Sequence, residues 1–381
     1  MENRKINVQI IQPVVPKYRL PLFKALISNG KFNICIMAGV KEPGGVKSID
    51  EKIININLNH NIYVVLKKLF WQRDLYLLSN MRQGDVLIIN GNIKMLSNYP
   101  LIFEAKKRKV AIVWWGHGWS STTSNLSFFL RKHIIKLFSD IVLLYTEKEK
   151  ELFVNNSFDS NKVFYMNNTV YTEDINCIKK HITQQDIVDI KVEHEIKNQK
   201  ILLFVGRLRD SPPTNLLIAL KSLKYLTSKC VLVVVGDGVG RDALIKTSKE
   251  LGVEDKVLFL GSIYDERKLA PWFMAADCFV YPGAIGLSLL HAFSYALPVV
   301  THNKLTQHGP EIAALKNEVN GLTFNMNDEV DLAKSIEVIL KSKDYYSKNA
   351  LKTIENEYSY ADMLLRVEEC IISASTIIQK K

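Results

Sequence analysis

Short, wholly apolar runs recur along this chain, each closing on a Gly or polar turn. Between them lie stretches whose apolar residues recur at helical spacing. In the first half INVQIIQP (6–13), FNICIMAG (32–39), DVLIING (85–91), VAIVWWGHG (110–118), DIVLLYT (140–146) and VFYMNNT (163–169) read as strands. YRLPLFKALISNG (18–30), stopped by Gly30, and segments near 96–108 and 126–138 read as helices. Strands that are apolar throughout rather than alternating, with helices between them, predict a parallel sheet covered on both faces.

The second half repeats the alternation from Ile201 to about Leu340, with strands in ILLFVGR (201–207), VLVVVGDG (231–238), VLFLGS (257–262) and Leu297–Thr301. The last of these closes YPGAIGLSLLHAFSYALPVVTHN (281–303), which places a Gly-rich turn and a helix start ahead of a strand. Residues 176–200 are polar, lack a strand pattern and read as a link between domains. The tail 358–378 has helical spacing behind an N-cap-like Ser359. The pattern therefore predicts an α/β protein of two doubly wound, Rossmann-like parallel-sheet domains: 1–175, a link 176–200, 201–357, and a terminal helix 358–381. Strands ending in turns that lead into helices gather their loops at the carboxyl edge of the sheet, where phosphorylated ligands bind. Two such domains would face each other across a ligand cleft.

Composition narrows the class. The five cysteines (Cys35, Cys177, Cys230, Cys278, Cys370) are scattered, with no CxxC, which speaks against a disulfide frame or a zinc site. The first apolar run is broken at Gln12 and Pro13, unlike a signal peptide. No stretch approaches the ~20 apolar residues of a membrane span. The expectation is a cytoplasmic protein. Residues 1–175 carry 24 Lys/Arg against 14 Asp/Glu, a net +10, while residues 176–381 carry 26 against 25, a net +1. The excess clusters beside large apolar residues in VVLKKLFWQR (64–73), KKRK (106–109) and LSFFLRKHIIKLF (126–138). Such stretches suit an anionic membrane surface. Each is also compatible with a helix whose apolar face is core and whose lysines are solvated. No nucleic-acid-binding motif accompanies the charge.

Candidate chemistry follows the strand ends. Arg207, in GRLR (206–209), offers a fork of donors to a diphosphate, or is an ordinary loop arginine. GDGVG (236–240), with Gly236 and Asp237, follows a strand but departs from G-x-G-x-x-G, which argues against NAD and leaves another phosphate-lined turn. In GAIGLS (283–288), Gly283, Gly286, Leu287 and Ser288 put small residues and backbone amides at a helix N-terminus, suited to a phosphate or sugar hydroxyls. His117, in WWGHGW between Gly116 and Gly118, stands at a strand end, where it is free to act on a ligand. His291 lies one turn into the next helix; it either faces the same loops or is half-buried and bonded to backbone. No HExxH, Asp-x-Asp pair, Gly-x-Ser-x-Gly elbow or P-loop occurs, so no metal or other cofactor is expected.

In order and spacing, FVGRLR, LVVVGDG, GVEDKVLFLGSI, LAPWFMAADCFVYP, GLSLLHAFSYALPVV and GPEIAALKNEVNGLTF resemble the donor half of glycosyltransferase family 4. YRLPLFKAL, WWGHG and DIVLLYTEKEKELF agree more loosely with its acceptor half. The resemblance implies the GT-B fold and sugar transfer from a nucleotide-sugar without a bound metal. It puts Arg207, with Arg209 in support, at the diphosphate, the Ile263 backbone at the base, and the GAIGLS turn at sugar and phosphates. It brings Glu311 to the same face, His117 opposite the donor sugar, and Gly116, Gly118 and Arg19 to the acceptor side. It also implies a terminal helix packed back on the first domain. The family's two glutamates, with seven residues between them, fall at Gly283 and His291 here, and a family lysine falls at Pro212.

Together these observations predict a hexosyltransferase-type enzyme, peripheral on the cytoplasmic face of a membrane. It would use a nucleotide-sugar and a lipid-linked saccharide of a bacterial surface polysaccharide such as lipopolysaccharide or capsule. A nucleotide-sugar epimerase on the same fold, or an inactive subunit supporting a partner transferase, is the alternative.

Overall fold

The computed structural model describes residues 4–43, 45–66, 68–117, 125–209 and 216–380. Gly118 and Pro212 lie outside them. The chain divides into two compact units, residues 1–168 with 361–381, and residues 169–360.

Among the described residues the first unit holds nine strands: β1 (Ile6–Val14), β2 (Phe32–Gly39), β3 (Ile56–Asn57), β4 (Ile62–Leu66), β5 (Leu69–Gln72), β6 (Val86–Asn90), β7 (Ala111–Trp115), β8 (Ile141–Leu144) and β9 (Val163–Tyr165). Seven of them form one sheet in the order β3-β2-β1-β6-β7-β8-β9, with parallel pairing throughout. The order reverses between β1 and β6, so a crevice opens at their carboxyl ends. Buried apolar side chains on the central strands explain the unbroken apolar runs in the sequence; Val86, Leu87, Ile88 and Ile89 on β6 are all fully buried. The helix Tyr360–Gln379 enters this unit from residue 361. It buries Cys370, Ile371 and Ala374. Ser375 donates to the Gly84 carbonyl at 2.6 Å, and Glu368 takes Asn29 Nδ2 at 2.5 Å.

Residues 64–73 do not form a helix with a core-facing side. They build an antiparallel ribbon, β4 paired with β5, separate from the main sheet. The helix at 126–138 is present as Asn125–Phe138, but only part of its apolar side is core: Ile135 is buried while Phe129, Leu130 and Leu137 are exposed.

The second unit holds β10 (Lys200–Val205), β11 (Cys230–Val235), β12 (Val257–Gly261), β13 (Cys278–Tyr281), β14 (Val299–His302) and β15 (Gly321–Phe324). Their order is β12-β11-β10-β13-β14-β15, again wholly parallel. The order reverses between β10 and β13. The segment 176–200 is not a polar link. It lies in the helices Thr172–His181 and Gln184–Glu193 and the turn after them, and Ile175, Ile178, Ile187 and Ile196 join the second core. A narrow apolar stripe is enough to seat a helix, so its charged remainder hid the role. Both units are thus doubly wound parallel α/β structures.

At the carboxyl edge of the second sheet two loops meet backbone to backbone. Leu208 N–H donates to Asp237 O at 3.0 Å, and Gly240 N–H to Leu208 O at 3.1 Å. Gly236 sits at φ +151°, where an added methyl would lie 1.8 Å from Gly206 O. Gly236→Ala should therefore destabilise the unit by on the order of 3 kcal/mol, through strain and displacement of the facing loop. Calorimetry should read a fall in melting temperature of about 6–12 °C, at ~2–4 °C per kcal/mol.

Candidate functional site

In the second unit the candidates gather where the strand order reverses. Arg207 and Arg209 leave the end of β10 and are exposed. Beneath them Phe204 stacks on Tyr281 of β13, ring centroids 4.9 Å apart. Burial pushes the Tyr281 hydroxyl above its usual range, with the Arg209 charge working against it. The turn 283–288 leaves the neighbouring β13, and Gly286 caps the helix Leu287–Ser294 with no side-chain cap. The first N–H groups of a helix lack intrahelical partners and carry positive potential. An arginine pair and a helix N-terminus thus leave adjacent strand ends, an arrangement that favours a polyanion.

Gly236 takes a different part from the one expected. Its N–H donates to Gly261 O at 2.7 Å, so the amide closes the sheet edge rather than pointing at a ligand. The GDGVG glycines are the surface on which the GRLR loop lies. Asp237 is exposed, with its Oδ1 accepting from Gly238 N–H at 2.7 Å. Ile263 is half-buried beyond β12 and packs on the core.

The turn 283–288, with Gly283 buried in it, is held from behind by residues that sequence reasoning did not single out. Ile285 N–H donates to His308 Nδ1 at 3.0 Å, and Gly309 N–H to Ile285 O at 2.7 Å. His308 Nδ1 is therefore unprotonated, and its Nε2–H donates to His302 O at 2.9 Å. The two imidazoles stack at 4.0 Å. His302 Nδ1 accepts from Lys304 N–H at 3.2 Å. Glu311 is buried against the same turn: a methyl on Gly309 would meet its Oε2 at 2.7 Å, and one on Gly286 at 3.5 Å. Burial lowers both histidines, His302 to about 4 with the His308 charge adding to the effect.

His291 faces the preceding helix. Its Nε2 lies 2.7 Å from Glu266 Oε1, which also accepts from Tyr295 Oη at 2.6 Å, and its ring packs 4.4 Å from Phe273. The bond is to a side chain, not to backbone, and it brings a carboxylate that the local sequence did not suggest. A cavity of about 430 Å³ lined by Lys197, Ser228 and Lys256 lies at the amino ends of β10–β12, the edge opposite the candidate residues, so its size does not mark the site.

In the first unit Gly91 and Gly116 meet at the carboxyl ends of β6 and β7. A methyl on Gly116 would lie 2.8 Å from Gly91 Cα, so these strand ends approach as bare backbone. His117 follows, half-exposed. Its ring is tilted over Tyr145 at 4.5 Å, and Nδ1 is 3.8 Å from Glu149 Oε1. Glu149 is fixed by the capping box with Thr146 that starts the helix Glu147–Asn155; the T-x-x-E spacing in the sequence was its signal. Arg19 is buried, with its guanidinium 4.7 Å over the Trp115 ring. It lies behind the strand end rather than on an open face. Among the described residues no group of three His, Cys, Asp or Glu side chains could hold a metal.

The His302–His308 pair sets a pH dependence. Both histidines bind protons less readily folded than unfolded, so stability is full above the unfolded pKa of ~6.5 and falls with the pH below it. His302 accounts for a loss that continues down to about pH 4. Melting temperature measured across this window should fall, and should fall less in His302→Asn.

Residues 186–359 match the family model "Glycosyl transferases group 1". The chain is 29% identical over 169 residues to the uncharacterized glycosyltransferase MJ1607 of Methanocaldococcus jannaschii, covering 43% of this chain and 42% of that protein. It is 28% identical over 168 residues to a Campylobacter jejuni protein, covering 41% of this chain and 43% of the relative. That relative is named GalNAc-alpha-(1->4)-GalNAc-alpha-(1->3)-diNAcBac-PP-undecaprenol alpha-1,4-N-acetyl-D-galactosaminyltransferase. The matches thus span less than half the length of these relatives. Anabaena HepE, solved in complex with UDP, has a similar fold, with a TM-score of 0.71 at 14% identity over 97% of this chain and 100% of HepE. With two parallel sheets and this likeness, the chain has the GT-B fold, and its residues 186–359 carry the match to the glycosyl transferases group 1 model.

Proposed function

We propose that this protein is a glycosyltransferase that moves a sugar from a nucleotide-sugar donor to a lipid-linked saccharide acceptor in bacterial surface polysaccharide synthesis. The observation that carries the reading is the pairing of Arg207 at the end of β10 with the Gly286 helix N-terminus beyond β13, on the two strands where the second sheet reverses its order. Glycosyl transfer breaks the bond from the anomeric carbon to the diphosphate, and charge builds on the departing phosphate oxygens. Fixed donors aimed there stabilise that charge. The Arg207 guanidinium, the Arg209 charge and the amides of Leu287 and Ser288 supply such donors from the protein itself, so the donor site is proposed to work without metal. Ile263 receives the base. His291, oriented by Glu266, is a hydrogen-bonding group for donor hydroxyls, and Glu311 underlies the turn.

The first unit takes the acceptor in this reading. His117, half-exposed beside Glu149 at the end of β7, is its proton-handling side chain, with Gly116 closed against Gly91 before it. Support for a lipid-linked acceptor comes from the name of the Campylobacter jejuni relative and from the +10 charge of residues 1–175. No described helix is long and apolar enough to cross a membrane. The proposed attachment is peripheral, to the anionic cytoplasmic face, with exposed Phe129, Leu130 and Leu137 beside lysines as one contributing surface.

The test is a thermal-shift series with UDP, GDP, ADP, CMP and dTDP in the presence of EDTA. A ligand at 100 times its Kd adds about 2.7 kcal/mol to stability. One nucleotide should raise the melting temperature, and Arg207→Ala should abolish most of the rise. A rise that needs added divalent metal would contradict the metal-free donor site. No rise with any nucleotide would favour the inactive supporting subunit, and consumption of nucleotide-sugar without acceptor would favour the epimerase.

A further inference from the structure

The ribbon β4–β5 has no counterpart in the main sheet and exposes apolar side chains on both its faces. Alternate residues of a strand point to opposite sides. Tyr63 and Val64, neighbours on opposite sides, are 49% and 53% exposed; beyond them the register shifts, so that Leu66, opposite Leu69, is 65% exposed and Val65, at the irregularity, 51%. Trp71, directly opposite Tyr63 in the register, is 42% exposed. A soluble ribbon would normally show polar residues on at least one face. A protein partner covers one face of a ribbon; two apolar faces suit immersion in an apolar medium.

The base, by contrast, is firmly held. Buried Gln72 donates through Nε2 to Gln12 O at 2.9 Å and to His60 O at 3.0 Å, and its own N–H donates to Ser97 Oγ at 3.0 Å. Phe70 N–H donates to Lys94 O, and Leu96 N–H to Phe70 O, both at 2.9 Å. Gln12 lies near the carboxyl end of β1, so the ribbon is anchored at the sheet edge that carries Gly91, Gly116 and His117. At the turn stands Lys68, exposed.

We propose that this ribbon is a membrane-docking element that lies shallowly in an anionic lipid surface. Val64, Val65 and Leu66 sit at the acyl boundary, Tyr63 and Trp71 at headgroup level, and Lys68 reaches back to lipid phosphates. The charge of the unit complements such a surface. The proposal rests on the membrane-bound acceptor reading and adds to the 125–138 helix a second contact, at the edge at which the acceptor is proposed to bind.

Flotation with vesicles of equimolar phosphatidylglycerol and phosphatidylcholine at low salt tests it, using the full chain. Wild type should float, and Val65→Glu with Leu66→Glu should lower the bound fraction constant about tenfold or more, with the melting temperature unchanged. Val65→Thr with Leu66→Thr, a gentler pair, should give a smaller loss in the same direction. Lys68→Glu should weaken binding to these vesicles but not to pure phosphatidylcholine. Brominated lipid should quench wild-type fluorescence more than that of Trp71→Phe. If wild type floats and the Glu pair floats equally, the ribbon assignment is overturned while peripheral attachment stands. If wild type ignores the vesicles, both fall. A dimer in sedimentation that the Glu pair dissolves, with no effect on flotation, would also overturn the proposal in favour of a second copy.

Discussion

Leu208 and Gly238 are neighbours because neither chain segment puts a side chain between them. The GRLR loop lies on the GDGVG turn, carbonyl against Cα, so closely that a methyl on Gly238 would come within 2.1 Å of Leu208 O. This contact sets the path of the chain as it leaves β10 and fixes where Arg207 and Arg209 emerge. The same device recurs in the first unit, where Gly91 and Gly116 let β6 and β7 close at the edge that presents His117. In both units bare backbone occupies the space that side chains would fill. The charged or titratable residue follows at once, its place along the edge set by the turn.

A second layer lies beneath these exposed groups. His308 and Gly309 hold Ile285 by both its N–H and its carbonyl. Glu266 holds His291, and Glu149 stands beside His117. Each exposed element thus has a buried or half-buried polar partner from another part of the chain. Such support keeps loop groups in place without a ligand, as a site built on electrostatic preorganisation requires. The histidine pair does so only while neutral, which ties the geometry of the 283–288 turn to pH.

Much of this was legible in the sequence. Strands apolar throughout, such as VLVVV in β11, are buried on both faces in the main sheets, and their Gly-containing ends located the carboxyl edge and its loops. β13 was not legible, because Cys278–Tyr281 follows the apolar end of the helix Glu266–Ala275 with two residues between, so the run reads as one stretch. Yet it flanks the reversal point. The ribbon escaped notice because VVLKKLFWQR shows no alternation: both of its faces are apolar. Residues 176–200 read as a link because only every third or fourth residue is apolar, although Ile178 and Ile187, with Ile175 just before them, suffice to seat two helices. Glu266, His302 and His308 were missed for a general reason. Each acts through a contact with a residue on another element, as Glu266 does with His291 twenty-five positions away, and no local pattern announces such a pair.

The claim at the centre of this account is that the nucleotide lies at the carboxyl ends of β10 and β13. Hydrogen–deuterium exchange of the full chain, with and without the nucleotide that raises its melting temperature, tests that directly. Exchange should slow in peptides covering 204–209 and 283–290 and remain unchanged around Lys197–Gln199 and Thr227–Cys230, which line the cavity at the amino edge. Protection confined to that amino edge would contradict the account.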